Sequence, residues 1–152
     1  LALGMMDYQT PSKVVANTYD FIGKKGGVGL KGSWDPNKFE VEDACFAYLS
    51  FPNKASIMLS SSFALNRQED ETVSLEIFGT DAGATLNPLA MHTSVAGELA
   101  DISFPYLPET NIQLENTTAF LDACDGKPSS ICNAEEGAIL QSIIEQIYES
   151  AE

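Results

Sequence analysis

Apolar residues recur with two periods along this chain. Between residues 12 and 104 the period is mostly two, which marks strands; beyond residue 110 it is close to 3.6, which marks helices. The first strand is expected over 12–21, with Val15, Tyr19 and Phe21 on one face and Val14, Ala16 and Thr18 on the other. The second is expected over 42–51 and the third over 55–65, joined by a Pro52-Asn53-Lys54 turn, so that residues 41–63 read as one long hairpin. In the third strand Ala55, Ile57, Leu59 and Phe63 share a face and Ser56, Ser60 and Ser62 share the other. That is the pattern of a sheet with one face in the core and one more polar. Residues 72–78 alternate again, Val73, Leu75 and Ile77 inward against Thr72, Ser74 and Glu76 outward. A turn cluster follows at 79–83, where Gly79 and Gly83 are expected to supply φ freedom. Short strands are expected near 84–86, 90–95 and 99–104.

Two helices close the chain. Residues 110–124 place Leu114, Thr117, Leu121 and Cys124 on one stripe, and Gly126-Lys127-Pro128 stops the helix. Asn133 opens the next, with Glu136 three residues on in a capping-box pattern. Ile139, Leu140, Ile143, Ile144 and Ile147 form its buried stripe. Runs of strands followed by helices indicate an α+β fold. Residues 23–38 are expected to be a loop, with five glycines and the only tryptophan, Trp34. Loops of that length in compact domains are functional or disordered. No G-x-x-x-x-G-K-[ST] run is present, and nothing at 26–32 predicts a helix, so the glycines do not form a phosphate-binding loop.

At 152 residues with 44% apolar content, the chain suits a single domain, 1–152, with a sizeable core. The apolar, unsignalled start at Leu1 and a final helix still in register at Glu152 indicate a domain cut from a longer chain. Eight basic against 22 acidic residues give a net charge of −14. Such a surface repels nucleic acid and anionic membrane. The three cysteines, Cys45, Cys124 and Cys132, are odd in number and lack C-x-x-C spacing. They are expected to be buried and structural, in a reducing, cytoplasmic compartment. One histidine, His92, without neighbouring Cys or His, makes a metal site improbable. No apolar run approaches the roughly 18 residues of a membrane span.

The carboxylate pairs Glu42–Asp43, Glu69–Asp70 and Glu135–Glu136 are adjacent in sequence. On a strand, neighbours point to opposite faces, so Glu42 and Asp43 do not converge on one substrate atom. Glu135 and Glu136 open a helix, where negative charge suits the macrodipole. His92 has no serine elbow to work with and reads as a surface or packed residue. Two places remain as binding candidates. Trp34 either grips a ligand with its polar-edged ring or folds onto its own domain. Phe63, Asn66 and Arg67, at the end of the third strand, combine an aromatic, an amide and a guanidinium; the alternative is a solvated strand end.

Three motifs in order resemble those of the C-terminal domain of the Gfo/Idh/MocA oxidoreductases, the glucose–fructose oxidoreductase and inositol dehydrogenase family. The first is Val41-Glu42-Asp43, then Phe51-Pro52-Asn53-Lys54 and Ser62-Phe63. The second is Leu75-Glu76-Ile77-Phe78-Gly79-Thr80-Asp81-Ala82-Gly83-Ala84, with one residue inserted. The third is 120–128 with Gly126-Lys127-Pro128, then Glu136-Gly137, then Ile147-Tyr148-Glu149-Ser150-Ala151-Glu152. The resemblance covers nearly the whole chain. It implies a large, mostly antiparallel open sheet with helices packed on one face, like the C-terminal domain of dihydrodipicolinate reductase. It also implies an N-terminal nucleotide-binding (Rossmann) domain that this chain lacks, along with the lysine and histidine motifs that move the hydroxyl proton. NAD or NADP would bind that missing domain and not this chain; no catalytic, cofactor or metal residue is expected here. The domain would bind a sugar, polyol or related hydroxy compound, with Trp34, Phe63, Asn66 and Arg67 facing it, and would form a homo-oligomer through its sheet face. The alternative is a non-enzymatic association or ligand-binding module. Two departures stand out: Lys54 replaces a turn glycine, and Phe63 replaces a tryptophan.

Overall fold

A computed structural model describes residues 1–29, 32–69 and 71–152. Leu30 and Lys31 of the glycine-rich stretch, and Asp70 of the Glu69–Asp70 pair, lie outside the described residues. The chain divides into two compact units, one of Leu1–Gln68 with Cys132–Glu152 and one of Glu69–Ile131.

In the first unit, β1 (Lys13–Tyr19), β4 (Ala44–Ser50) and β5 (Ser56–Ser62) form an antiparallel sheet in the order β1-β4-β5. Between β1 and β4 come a short helix α1 (Phe21–Lys25), the two-residue strands β2 (Val28–Gly29) and β3 (Gly32–Ser33), and a 3-10 turn at Pro36–Lys38. The expected long loop is therefore built of small elements, and α1 takes the place of the last residues assigned to the first strand. The register pairs Ala16 with Ala47 and Val14 with Leu49, and Leu49 with Ile57. Paired residues share a face, so these side chains make one inner surface. Helix α3 (Ala134–Ala151) lies on it: Ile143 and Ile147 are buried with Ala16, Ala47, Leu49 and Phe51, and Ile139 and Ala151 pack beside them. Leu140, expected in the buried stripe, is 43% exposed.

Helix α3 starts where the sequence placed it. The Asn133 side chain accepts from the Glu136 amide and the Glu136 carboxylate accepts from the Asn133 amide, both at 2.9 Å. Its C-terminal turn is fastened to edge strand β1 through Ser150, whose hydroxyl donates to the Val14 carbonyl and accepts from the Ala16 amide.

The second unit contains β6 (Glu76–Phe78), β7 (Gly83–Thr85), β8 (Ala90–Val95) and β9 (Glu98–Ser103), antiparallel in that order, then α2 (Ile112–Cys124). The two residues between β8 and β9, Ala96 and Gly97, both have positive φ, as a tight type I′ hairpin requires. Gly79 and Gly83 do not adopt positive φ, contrary to expectation; their need is space, because a Cβ would stand 2.6 Å from the Ala82 carbonyl oxygen and 3.0 Å from that of Ile77. Helix α2 ends as expected on Gly126 (φ 72°), with the Gly126 amide donating to the Ala123 carbonyl and the Lys127 amide to that of Asp122. Its supposed buried stripe is exposed, including Leu114, Leu121 and Cys124.

The cysteines also depart from expectation. All three are free, Cys124 and Cys132 are exposed, and only Cys45 is half-buried. Burial, reinforced by the nearby Glu42 charge, pushes the Cys45 thiol above its ordinary value.

The β4–β5 turn keeps glycine's conformation without glycine. The Lys54 amide donates to the Phe51 carbonyl, the Ala55 amide to Asn53 Oδ1, and Lys54 itself has φ 69°. A left-handed non-glycine residue costs about 1–2 kcal/mol. Lys54→Gly is expected to stabilise the protein by about 1 kcal/mol, since part of that relief is offset by the freer unfolded chain. Urea unfolding of the two proteins reads the difference.

Candidate functional site

Asp43 organises one end of the three-stranded sheet. Its side chain is only 3% exposed, and a single carboxylate oxygen, Oδ2, accepts from the amides of Ile22 and Gly23, both at 2.8 Å. These amides belong to the first turn of α1, which has no intrahelical acceptor for them. Negative charge is also favourable at that end of a helix. The Asp43 amide donates to the Tyr19 carbonyl, and its carbonyl accepts from the Ser62 hydroxyl at 2.6 Å and the Phe63 amide at 3.3 Å.

Gly23 extends this centre toward the glycine-rich stretch. A Cβ there would collide with the Phe39 ring. The Gly23 carbonyl accepts from Trp34 Nε1 at 2.8 Å, and the indole lies against Gly27 and Gly29. The Phe39 and Phe63 rings are 5.8 Å apart. Trp34 and Phe63 therefore both reach this centre, Trp34 through the Gly23 carbonyl and Phe63 through the Phe39 ring. Trp34 is half-buried with its N–H engaged within its own segment, whereas Phe63 is 69% exposed. Asn66 and Arg67 follow on the exposed stretch after β5.

Glu42 and Asp43 precede β4, which begins at Ala44 rather than at the expected residue 42, and their side chains go to different partners. Glu42 Oε1 accepts from the Tyr148 hydroxyl at 2.5 Å. An open groove of about 460 Å³ runs beside this pair, lined by Thr18, Tyr19, Phe21 and Lys24 as well. Lys24 pairs with Asp20, and the Tyr19 and Phe21 rings are 6.0 Å apart. The groove thus offers hydroxyl, carboxylate and aromatic surfaces, which can hydrogen-bond and stack.

Sequence reasoning chose Trp34 and Phe63 but missed what joins them. The available signal was Asp43, an acid at the mouth of an otherwise apolar strand. Its partners α1, Gly23 and Phe39 belong to a stretch whose hydrophobic pattern has no clear period.

Elsewhere, His92 is exposed on β8 and its Nδ1 lies 2.8 Å from Oδ1 of Asp101, directly across on β9. Among the described residues no group of three His, Cys, Asp or Glu can hold a metal ion, and no helix is long and apolar enough to cross a membrane. Within the glycine-rich stretch, the described residues Val28–Gly29 and Gly32–Ser33 pair as the β2–β3 ribbon.

The Glu42 hydrogen bond holds the Tyr148 phenol above its ordinary value of 10.0, with lesser help from burial. A raised phenol pKa contributes stability that is complete below the unfolded value and is lost as pH rises through the folded one. Glu42→Gln is therefore expected to return Tyr148 to ordinary titration, and to remove the part of the stability loss that wild-type shows above pH 10. Phenolate absorbance against pH, with Tyr148→Phe as the reference, measures it.

Residues 9–152 match the family model for the Gfo/Idh/MocA oxidoreductase family, C-terminal alpha/beta domain. D-glucoside 3-dehydrogenase of Escherichia coli (strain K12) is 34% identical over 151 residues, 99% of this chain and 43% of the relative. The chain thus spans less than half of that relative's length. An aldose-aldose oxidoreductase from Caulobacter crescentus, solved with glycerol, superposes with a TM-score of 0.62 at 20% identity, over 99% of this chain and 41% of the other. A biliverdin reductase from Synechocystis sp. PCC 6803, solved with biliverdin and NADP+, superposes with a TM-score of 0.58 at 18% identity, over 96% and 42%. At those identities the likenesses establish the fold; the family model, covering nearly all of the sequence, establishes membership. This chain belongs to the Gfo/Idh/MocA oxidoreductases and corresponds to their C-terminal alpha/beta domain.

Proposed function

We propose that this chain is the substrate-binding and oligomerisation part of an NAD(P)-dependent oxidoreductase acting on a sugar, a polyol or a related hydroxy compound. The observation carrying this reading is the 34% identity to a D-glucoside 3-dehydrogenase across 99% of the chain. Within it, the Trp34–Phe39–Phe63 end of the sheet forms one wall of the substrate pocket. Aromatic rings stack on the apolar face of a sugar, and the Asn66 amide and Arg67 guanidinium give hydroxyl-directed donors. The nicotinamide cofactor belongs to an N-terminal nucleotide-binding domain of the same protein, which also supplies the proton-transferring groups. The present residues bind and orient the substrate, and the complete enzyme works in the cytoplasm.

A second role rests on the outer face of the three-stranded sheet. Val15, Tyr19, Phe46, Tyr48 and Met58 lie on that face, between 39% and 87% exposed. A contiguous apolar patch of this kind on a soluble domain marks an interaction surface. A second copy of the same face is the partner we assign, giving a two-fold assembly.

For the full-length protein, Phe63→Ala is expected to raise KM for a glucoside about tenfold, a loss of about 1.4 kcal/mol, while leaving nicotinamide affinity unchanged. Steady-state kinetics against a polyol and glucoside panel test it; a wild-type protein that turns over none of them and binds no nicotinamide overturns the enzymatic reading. Phe46→Asp is expected to dissociate the oligomer. Sedimentation velocity shows this, and a wild-type protein already monomeric at micromolar concentration refutes the second role.

A further inference from the structure

We propose that Asp43 is a positioning residue: it holds the Trp34 and Phe63 sides of the pocket wall in one fixed relation. This rests on the substrate-binding reading above. Asp43 is the only buried charged side chain among the described residues. Its carboxylate fixes the Ile22 and Gly23 amides, and Gly23 in turn receives the Trp34 indole N–H. Its main-chain carbonyl fixes Ser62 and Phe63. One residue therefore fastens the glycine-rich segment through its side chain and the end of β5 through its backbone.

The geometry separates hydrogen bonding from charge. Both amides converge on the same oxygen, Oδ2, so an asparagine carbonyl oxygen can replace it. A residue that served only as a counter-charge to the helix end would not tolerate that exchange. A buried donor left without its acceptor is destabilising, so loss of this oxygen lets the first turn of α1 move and release Gly23.

The test follows the indole N–H resonance of Trp34 in the full-length protein, assigned through Trp34→Phe, together with binding of methyl glucoside. Asp43→Ala is expected to move that resonance upfield, speed its exchange with solvent and weaken methyl glucoside at least tenfold. Asp43→Asn is expected to keep both properties. Should Asp43→Ala not fold, Asp43→Glu, which pushes the carboxylate one methylene further, is expected to give the same displacement. A folded Asp43→Ala or Asp43→Glu protein with an unchanged Trp34 resonance overturns the proposal. So does an Asp43→Asn protein as altered as Asp43→Ala. If the resonance responds as expected while wild-type protein binds no methyl glucoside, the positioning role stands and the substrate reading fails.

Discussion

The side chains of Ala16 and Ala47 face one another across β1 and β4, and their small size is what lets α3 approach the sheet. A helix and a sheet each expose one apolar surface and must cover it. Here Ala16, Ala47, Leu49 and Phe51 form one buried cluster with Ile143 and Ile147 of α3. Every feature of the candidate site hangs from this contact. It sets the position of β1 and β4, and so of the residues that leave their ends: Tyr19, Glu42 and Asp43. A larger residue at position 16 or 47 would lift the helix and draw Tyr148 away from Glu42.

The motifs that carry the family resemblance prove to be mechanical parts that meet in space. Val41-Glu42-Asp43 and the closing Ile147-Tyr148-Glu149-Ser150 are about a hundred residues apart in sequence, yet Glu42 receives the Tyr148 hydroxyl. Ile147 is in the core, Tyr148 is on the groove and Ser150 is on β1. Successive residues of one helix turn thus serve the core, the groove and the strand. The two sequence departures behave differently. Lys54 accepts the backbone conformation of the glycine it replaces, and the turn survives with strain. Phe63 keeps an aromatic ring beside Phe39, and loses only the donor that an indole would bring.

Legibility in the sequence followed the locality of the forces. Strands β4, β5, β8 and β9, the C-terminal stop of α2 and the N-terminal cap of α3 are readable because alternation, Gly126, and Asn133 with Glu136 act within a few residues; the Asn111 cap of α2 is not anticipated. Helix α1 was not, since its first turn is capped by Asp43 from another element, and a five-residue helix has too few positions to show a period. The stripe of α2 was read correctly as a pattern and wrongly as a burial, because periodicity says which residues share a face and not what covers it. Cys124 departs from expectation for the same reason, since a small apolar residue in a periodic position looks buried whether or not anything packs upon it. Trp34 and Phe63 were chosen for their chemistry, and only the fold revealed the residue between them.

The fastening of Ser150 to β1 has a consequence for how copies of this chain can meet. The outward edge of a strand invites another strand to add to it. At Val14 and Ala16 that invitation is already taken by a helix hydroxyl, which acts as a one-residue stand-in for a neighbouring strand. Over these two residues β1 therefore offers an added strand one amide and one carbonyl fewer, because both are already engaged within the chain.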